Sequence, residues 1–201
     1  MHVFDFEMRG AQRALDLDRI VEIERACFPE KLAYTRDELR RFLRAPNAQC
    51  MVAVDRTTGF MGGFVIVSWR KGAKVGYVQT IDVAPDAQGH GLGRMLLETA
   101  ERIMAERGLR RSILQVYLRN NTALILYLKT GYTIRRARTR YYRNSFNGAR
   151  DALELVKELE PMAPTRLVAP QVTLIASPGL GIPLPPAPAQ ATPVAPRPAS
   201  V

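Results

Sequence analysis

Proline is distributed very unevenly along this chain, and no other feature limits its folding options so sharply. Of 14 prolines in 201 residues, three (Pro29, Pro46 and Pro85) precede residue 160, and eleven fall between Pro161 and Pro198. Proline fixes φ and removes a backbone donor, so a stretch this rich in it sustains neither a helix nor a central strand. Residues 161–201 also carry only two charges, Arg166 and Arg197, and no aromatic side chain. Such a segment builds no core. The sequence is expected to comprise one folded domain over residues 1–160 and a disordered, polyproline-II-like tail over residues 161–201.

The composition of 47% hydrophobic and 24% charged residues suits a packed core in the first part of the chain. From Leu167 to Pro196 there are thirty residues without a charge, longer than the roughly 20 of a spanning helix. Pro170, Pro178, Pro183, Pro185 and Pro186 interrupt that run, and hydrocarbon tolerates no unpaired backbone, so no membrane partner is expected. Met1 to Asp5 shows no basic stretch leading into an apolar one, so no secretory signal is expected either. Cys27 and Cys50 are too few and too far apart for a metal cage or a disulfide framework. Free thiols fit a reducing cytoplasm, and no metal is expected.

Hydrophobic periodicity maps the folded part. Val3 to Met8 alternates like a strand. Asp16 to Phe28 places Leu17, Ile20, Val21, Cys27 and Phe28 on one helical face, with Glu22 and Arg25 away from it. Thr35 reads as an N-cap whose capping box is completed by Glu38, ahead of Leu39 and Phe42. Cys50 to Val54 and Phe60 to Trp69 form a hairpin across Asp55 to Gly59, and Val75 to Val83 is a further strand. Gly91 to Arg107 is an amphipathic helix with Leu92, Met95, Leu96, Thr99, Ile103 and Met104 facing inward, closed by Gly108. Then follow a strand from Ser112 to Tyr117, a helix from Thr122 to Lys129 stopped by Gly131, and strands over Tyr132 to Tyr142 and Ala152 to Leu159. The order β-α-α-β-β-β-α-β-α-β-β predicts a mixed α/β sheet with one central βαβ crossover.

That crossover holds the most informative segment, Gln88-Gly89-His90-Gly91-Leu92-Gly93. Glycines let backbone approach a ligand, and the first turn of the following helix offers unpaired N–H groups to phosphate oxygens. No Gly-Lys-Ser/Thr follows, so this is not a Walker loop, and the spacing differs from a dinucleotide fingerprint. Downstream come Leu114-Gln115-Val116, then Asn120, Ala123, Tyr127, Gly131 and Tyr132. The pair of motifs, (Gln/Arg)-x-x-Gly-x-Gly/Ala and Asn-x-x-Ala-x-x-x-Tyr-x-x-x-Gly-Phe/Tyr, resembles the GNAT superfamily of acetyl-CoA-dependent N-acetyltransferases over residues 3–160. Phe28-Pro29, Tyr141-Tyr142 and Asp151-Ala152 are similar to the protein N-terminal acetyltransferases, and to the ribosomal-protein alanine (RimI-like) group among them. The resemblance implies a GNAT fold: a mixed, mostly antiparallel sheet of six to seven strands flanked by about four helices.

It also implies site residues. Gln88, Gly89, His90, Gly91, Leu92 and Gly93 would hold the pyrophosphate of acetyl-CoA through backbone N–H groups, with no chemistry assigned to the His90 side chain. The backbones of Ile81 and Val83 would pair with the pantetheine arm, and Asn120, a helix N-cap in its own right, would bond the pantetheine amide. Tyr127 would lie beside the sulfur and protonate the departing thiolate. A glutamate usually stands where this chain has Gln115, and an amide cannot take a proton, although it can position a water or the amine. Tyr77, expected on one face with Gln79, Ile81 and Val83, becomes the candidate for deprotonation through water. Tyr141 and Tyr142 would line a peptide groove opposite Phe28, Pro29 and Glu30.

The formal net charge is +10. Much of the excess gathers at Arg135, Arg136, Arg138, Arg140 and Arg143, where alternate residues 136, 138 and 140 would form a basic stripe. No nucleic-acid motif accompanies it, and steering of anionic CoA or approach to a ribosomal assembly explains that charge equally well, so nucleic acid is not expected as the main partner. The expected function is acetyl transfer to an amine, foremost the α-amino group of a protein, including a ribosomal one. A lysine side chain or a small amine is the alternative, and a CoA-binding module impaired in catalysis is the alternative of another class. Oligomeric state and the role of the tail are not readable from the sequence.

Overall fold

A computed structural model describes residues 4–142 and 150–161. The expected tail from residue 162 onward, the start of the first strand at Val3, and Arg143 lie outside the described residues. The elements follow the expected order: β1 (Phe6–Gly10), α1 (Arg13–Cys27), α2 (Arg36–Arg44), β2 (Ala48–Asp55), β3 (Met61–Trp69), β4 (Val75–Val83), α3 (Leu92–Glu106), β5 (Arg111–Tyr117), α4 (Asn121–Lys129), β6 (Thr133–Arg138) and β7 (Ala152–Glu158). A 3-10 turn at Pro85–Ala87 joins β4 to the glycine loop.

Seven strands form one sheet in the order β1-β2-β3-β4-β5-β7-β6. Every neighbouring pair is antiparallel except β4 and β5, which the α3 crossover makes parallel. β3 is buried from Met61 to Val67, as a central strand covered on both faces must be. Helix α3 packs on β2, β3 and β4, while α1 packs on β3 and β4. Phe64, Ile66, Ile81, Leu92, Leu96, Leu97 and Ile20 are among the fully buried side chains of the single large core.

Local chemistry explains the boundaries. Thr35 accepts from Glu38 N–H while Glu38 returns a bond to Thr35 N–H at 2.8 Å, so the capping box is complete. Asp55 closes the β2–β3 turn by accepting from the N–H groups of Thr57 and Thr58 and the Thr58 hydroxyl. Asn120 caps α4 through Ala123 N–H.

Three expectations change. Met95 lies on the solvent side of α3 and is 39% exposed, whereas the other expected inner residues, Leu92, Leu96, Thr99, Ile103 and Met104, are buried together with Leu97 and Ala100. β6 ends at Arg138 and not at Tyr142, because the chain turns at Arg140, whose φ is 50°. Arg140 is therefore outside the strand and the basic stripe is broken. β6 is also the sheet's edge, where arginines on an exposed strand discourage pairing with another chain.

Candidate active site

The sheet opens in one place. β4 and β5 pair at Val75–Arg111, Gly76–Ser112 and Tyr77–Ile113, and no pairing continues beyond. β4 then runs six more residues to Val83 and β5 four more to Tyr117 without each other. β4 keeps its partner β3 on the other side, so the divergence leaves a cleft between two otherwise well-held strands.

At one end of the cleft stands the glycine loop. Gly89 and Gly91 have φ of 80° and 76°, and a Cβ added at either would meet nothing, so positive φ alone calls for glycine there. Gly91 N-caps α3 with no side-chain cap. Among the described residues the N–H groups of Gly89 to Gly93 have no backbone acceptor. Together with the positive end of α3 they form a site suited to phosphate. Gln88 plays another part. Its amide donates to the Val83 carbonyl at 3.1 Å and its backbone N–H to the Pro85 carbonyl at 3.3 Å, so it braces the loop and its backbone N–H is already engaged. Val83 O also accepts from Cys27 Sγ at 3.3 Å. The His90 ring is exposed and meets Phe4 edge-on at 5.5 Å.

Deeper in, the cleft region collects polar atoms without partners. Tyr127 is fully buried, and its hydroxyl has no hydrogen-bond partner among the described residues. Burial, reinforced by the charge of Asp82, pushes its pKa far above the ordinary phenol value, so it stays protonated. Gln79 Oε1, Gln115 Oε1 and the Tyr142 hydroxyl are likewise buried and unbonded. Such atoms are costly in a folded protein unless something from outside meets them.

Tyr77 does not lie where strand alternation puts it. Ile66 pairs with Thr80 but Val67 with Val78, so Gln79 is an extra residue on β4. The bulge reverses the faces, and Tyr77 shares a face with Thr80 and Asp82, not with Ile81 and Val83. Parallel pairing with Ile113 and the register of β5 with β7 put Gln115, Tyr117 and Glu154 on the face of Tyr77. Tyr77 is half-buried, and Tyr141 lies within electrostatic reach of Tyr77, Arg138 and Glu154.

Glu154 is the residue that strand periodicity did not bring forward. It is 2% exposed and lies directly across from Gln115, whose Nε2 donates to Glu154 Oε2 at 3.2 Å. Arg136 donates to Oε1 at 2.9 Å, Arg138 to Oε2 at 2.8 Å, and Arg135 approaches to 3.6 Å. Burial would raise this carboxyl, but the arginine and Gln115 hydrogen bonds and the Arg138 charge outweigh it and hold the group below the usual carboxylate range. Two arginines of the expected basic stripe are thus committed to one carboxylate. An arginine-rich strand followed by one with an acid, Glu154, set between Leu153 and Leu155 was the available signal.

The expected peptide groove is partly closed. Phe28 and Tyr142 are buried, and with Leu32, Ala33, Tyr117 and Ala152 they form a small apolar cluster. Tyr142 stacks on Tyr117 with ring centres 3.6 Å apart. Pro29, Glu30 and the half-buried Tyr141 remain at the rim. No group of His, Cys, Asp and Glu among the described residues is arranged to hold a metal ion, and no described helix is long and apolar enough to cross a membrane.

Known proteins resemble this chain in sequence and in fold. The model of the acetyltransferase (GNAT) family matches residues 17–132. A mycothiol acetyltransferase from Amycolatopsis mediterranei is 48% identical over 62 residues, which is 31% of this chain and 21% of that protein. The chain thus spans about a fifth of the length of that relative. The crystal structure of the ribosomal-protein-S18-alanine N-acetyltransferase from Escherichia coli superposes with a TM-score of 0.68 at 23% identity, over 81% of this chain and 99% of that one. NAA60 from Arabidopsis thaliana in complex with acetyl-CoA gives 0.67 at 20% identity, over 77% and 98%. At such identities the two structures speak for the fold alone.

Proposed function

The chain belongs to the acetyltransferase (GNAT) family and is an acyltransferase, and from that premise we propose that acetyl-CoA is its donor and the α-amino group of a protein its acceptor. The observation that carries the donor is the divergence of β4 and β5, with a bare helix N-terminus at one end and the unbonded Tyr127 hydroxyl inside. In this reading Gly89 to Gly93 hold the pyrophosphate, Ile81 and Asn120 flank the pantetheine arm, and Gln88 keeps the loop in shape. Asn120 Oδ1 also serves Ala123 as the cap of α4. Tyr127, held protonated, gives its proton to the thiolate as the amine displaces it.

The acceptor is argued from what the site lacks. Gln115 cannot take a proton, and Glu154 is clamped by arginines and is a weak base. An α-amine with pKa near 8 is roughly one-tenth neutral at pH 7, whereas lysine near 10.4 is neutral in roughly four molecules in ten thousand. That difference of more than two orders of magnitude favours an α-amine where catalysis must take its nucleophile largely as it finds it. Tyr77 orients a water that takes the amine's remaining proton and passes it to solvent, and Pro29, Glu30 and Tyr141 border the acceptor. The similarity to mycothiol acetyltransferases supports a second reading, in which the acceptor is a small-molecule amine.

One assay separates them. Thiol release from acetyl-CoA is followed with peptides bearing free α-amines, with N-terminally blocked lysine peptides and with small amines. Turnover confined to free α-amine peptides is the expected result. Turnover confined to small amines replaces the first reading with the second.

A further inference from the structure

Gln115 is an unusual side chain to bury at the mouth of an acyl-transfer cleft, because a primary amide can face its surroundings in two ways. With NH2 toward the acceptor it would repel an amine's protons; with the oxygen toward the acceptor it would receive one. Which way it faces is decided by its neighbour across the strand. Glu154 Oε2 lies 3.2 Å from Gln115 Nε2. A carboxylate flanked by guanidinium groups accepts only, so the NH2 end must turn toward it. The carbonyl end is then directed elsewhere, and Gln115 Oε1 is buried with no partner among the described residues. Glu154 itself cannot swing away, for Arg136 and Arg138 engage both its oxygens from the adjacent strand.

We propose that Glu154 is a positioning residue for the acceptor: it locks the Gln115 amide with its oxygen turned away from Glu154 and toward the incoming amine, so that Gln115 Oε1 accepts an N–H of the nucleophile and aims its lone pair at the thioester. Glu154 does not touch the substrate and takes no proton. Arg136 and Arg138 serve the same end by keeping the carboxylate in place. The proposal rests on the reading that Gln115 borders the acceptor, but not on which amine that is.

A double-mutant cycle tests it, run on whichever amine the wild-type enzyme turns over, so that losing the α-amine reading does not lose this one. Glu154→Gln removes the acceptor-only partner and lets Gln115 face either way, and Gln115→Met removes the oxygen while keeping the volume. Each single substitution should raise KM for the amine about tenfold, the worth of one hydrogen bond, and leave KM for acetyl-CoA within about twofold. In the Gln115→Met background, Glu154→Gln should have no further effect on amine KM. An unchanged amine KM in Glu154→Gln, or the same rise with and without Gln115→Met, overturns the proposal. If Glu154→Gln does not fold, Glu154→Asp takes its place: it keeps the charge for the arginines but withdraws the oxygen from Gln115. A raised amine KM that vanishes in the Gln115→Met background is then expected, and an unchanged one refutes it.

Discussion

The two halves of the sheet use their polar groups in opposite ways. From β1 to β4, strands pair along their lengths, and the buried polar groups at their ends and turns are bonded, as Asp55 shows with four donors from Asp5, Thr57 and Thr58. From β5 to β7, pairing is equally regular between neighbours, yet the margin facing β4 is open and Gln115 and Tyr127 end in unbonded atoms. In the first half Gln79 Oε1, on the diverging part of β4, is left without a partner; in the second, Gln115 and Tyr127 both are. The proposed site lies where the sheet is left incomplete.

Substitutions can test that division, beginning with the largest effect. Phe64→Ala, at a fully buried site in β3, should destabilise the protein by about 3–5 kcal/mol in chemical denaturation. At a temperature where the variant is folded, kcat/KM should match the wild type; a parallel fall would mean the halves are not separable. Tyr127→Phe should do the reverse. Thiol-release assays should show kcat reduced about a hundredfold. Because the deleted hydroxyl is buried and unbonded, stability should hold or rise by about 1 kcal/mol.

Acid titration probes the bonded half. The Thr58 hydroxyl first, then the N–H groups of Asp5, Thr58 and Thr57, push the Asp55 pKa down to about 2. A depressed carboxylate contributes stability that is present above its unfolded value, near 3.9, and lost as pH falls through its folded one. Tm should therefore drop between about pH 4 and pH 2, and Asp55→Asn should flatten that drop while lowering Tm at neutral pH. The smallest effect belongs to Tyr142→Phe, which keeps the stack on Tyr117 and deletes another unbonded hydroxyl. Its Tm should stay within a degree or two of the wild type or exceed it, since the change is worth under about 1 kcal/mol.

Much of the fold was legible because it rests on local chemistry. The Thr35–Glu38 capping box, the Asn120 N-cap and the left-handed glycines of the β4–α3 loop each depend on residues within a few positions of one another. The face of Tyr77 was not legible, because one extra residue at Gln79 reverses the alternation and leaves no mark in the hydrophobic pattern. Nor was Glu154. Its partners lie 16 to 39 positions away and meet it only because β7 inserts between β5 and β6. The inner face of α3 was misjudged at Met95 because leucine, methionine and alanine all fit a helical stripe, and the neighbouring sheet decides which are covered.

The position of β7 carries a consequence for the order of synthesis. It is the last strand of the described chain, yet it occupies an interior place, between β5 and β6. A nascent chain emerging from the ribosome can complete β1 to β4 and dock α3 while residues 152–158 are still unmade. Until they appear, β5 lacks a neighbour on that side, and β6 has none at all. Domains are made from the N-terminus at about 5–20 residues per second, so the scaffold is in place before the half that uses it. Gln115 meets Glu154 only after almost everything else has settled.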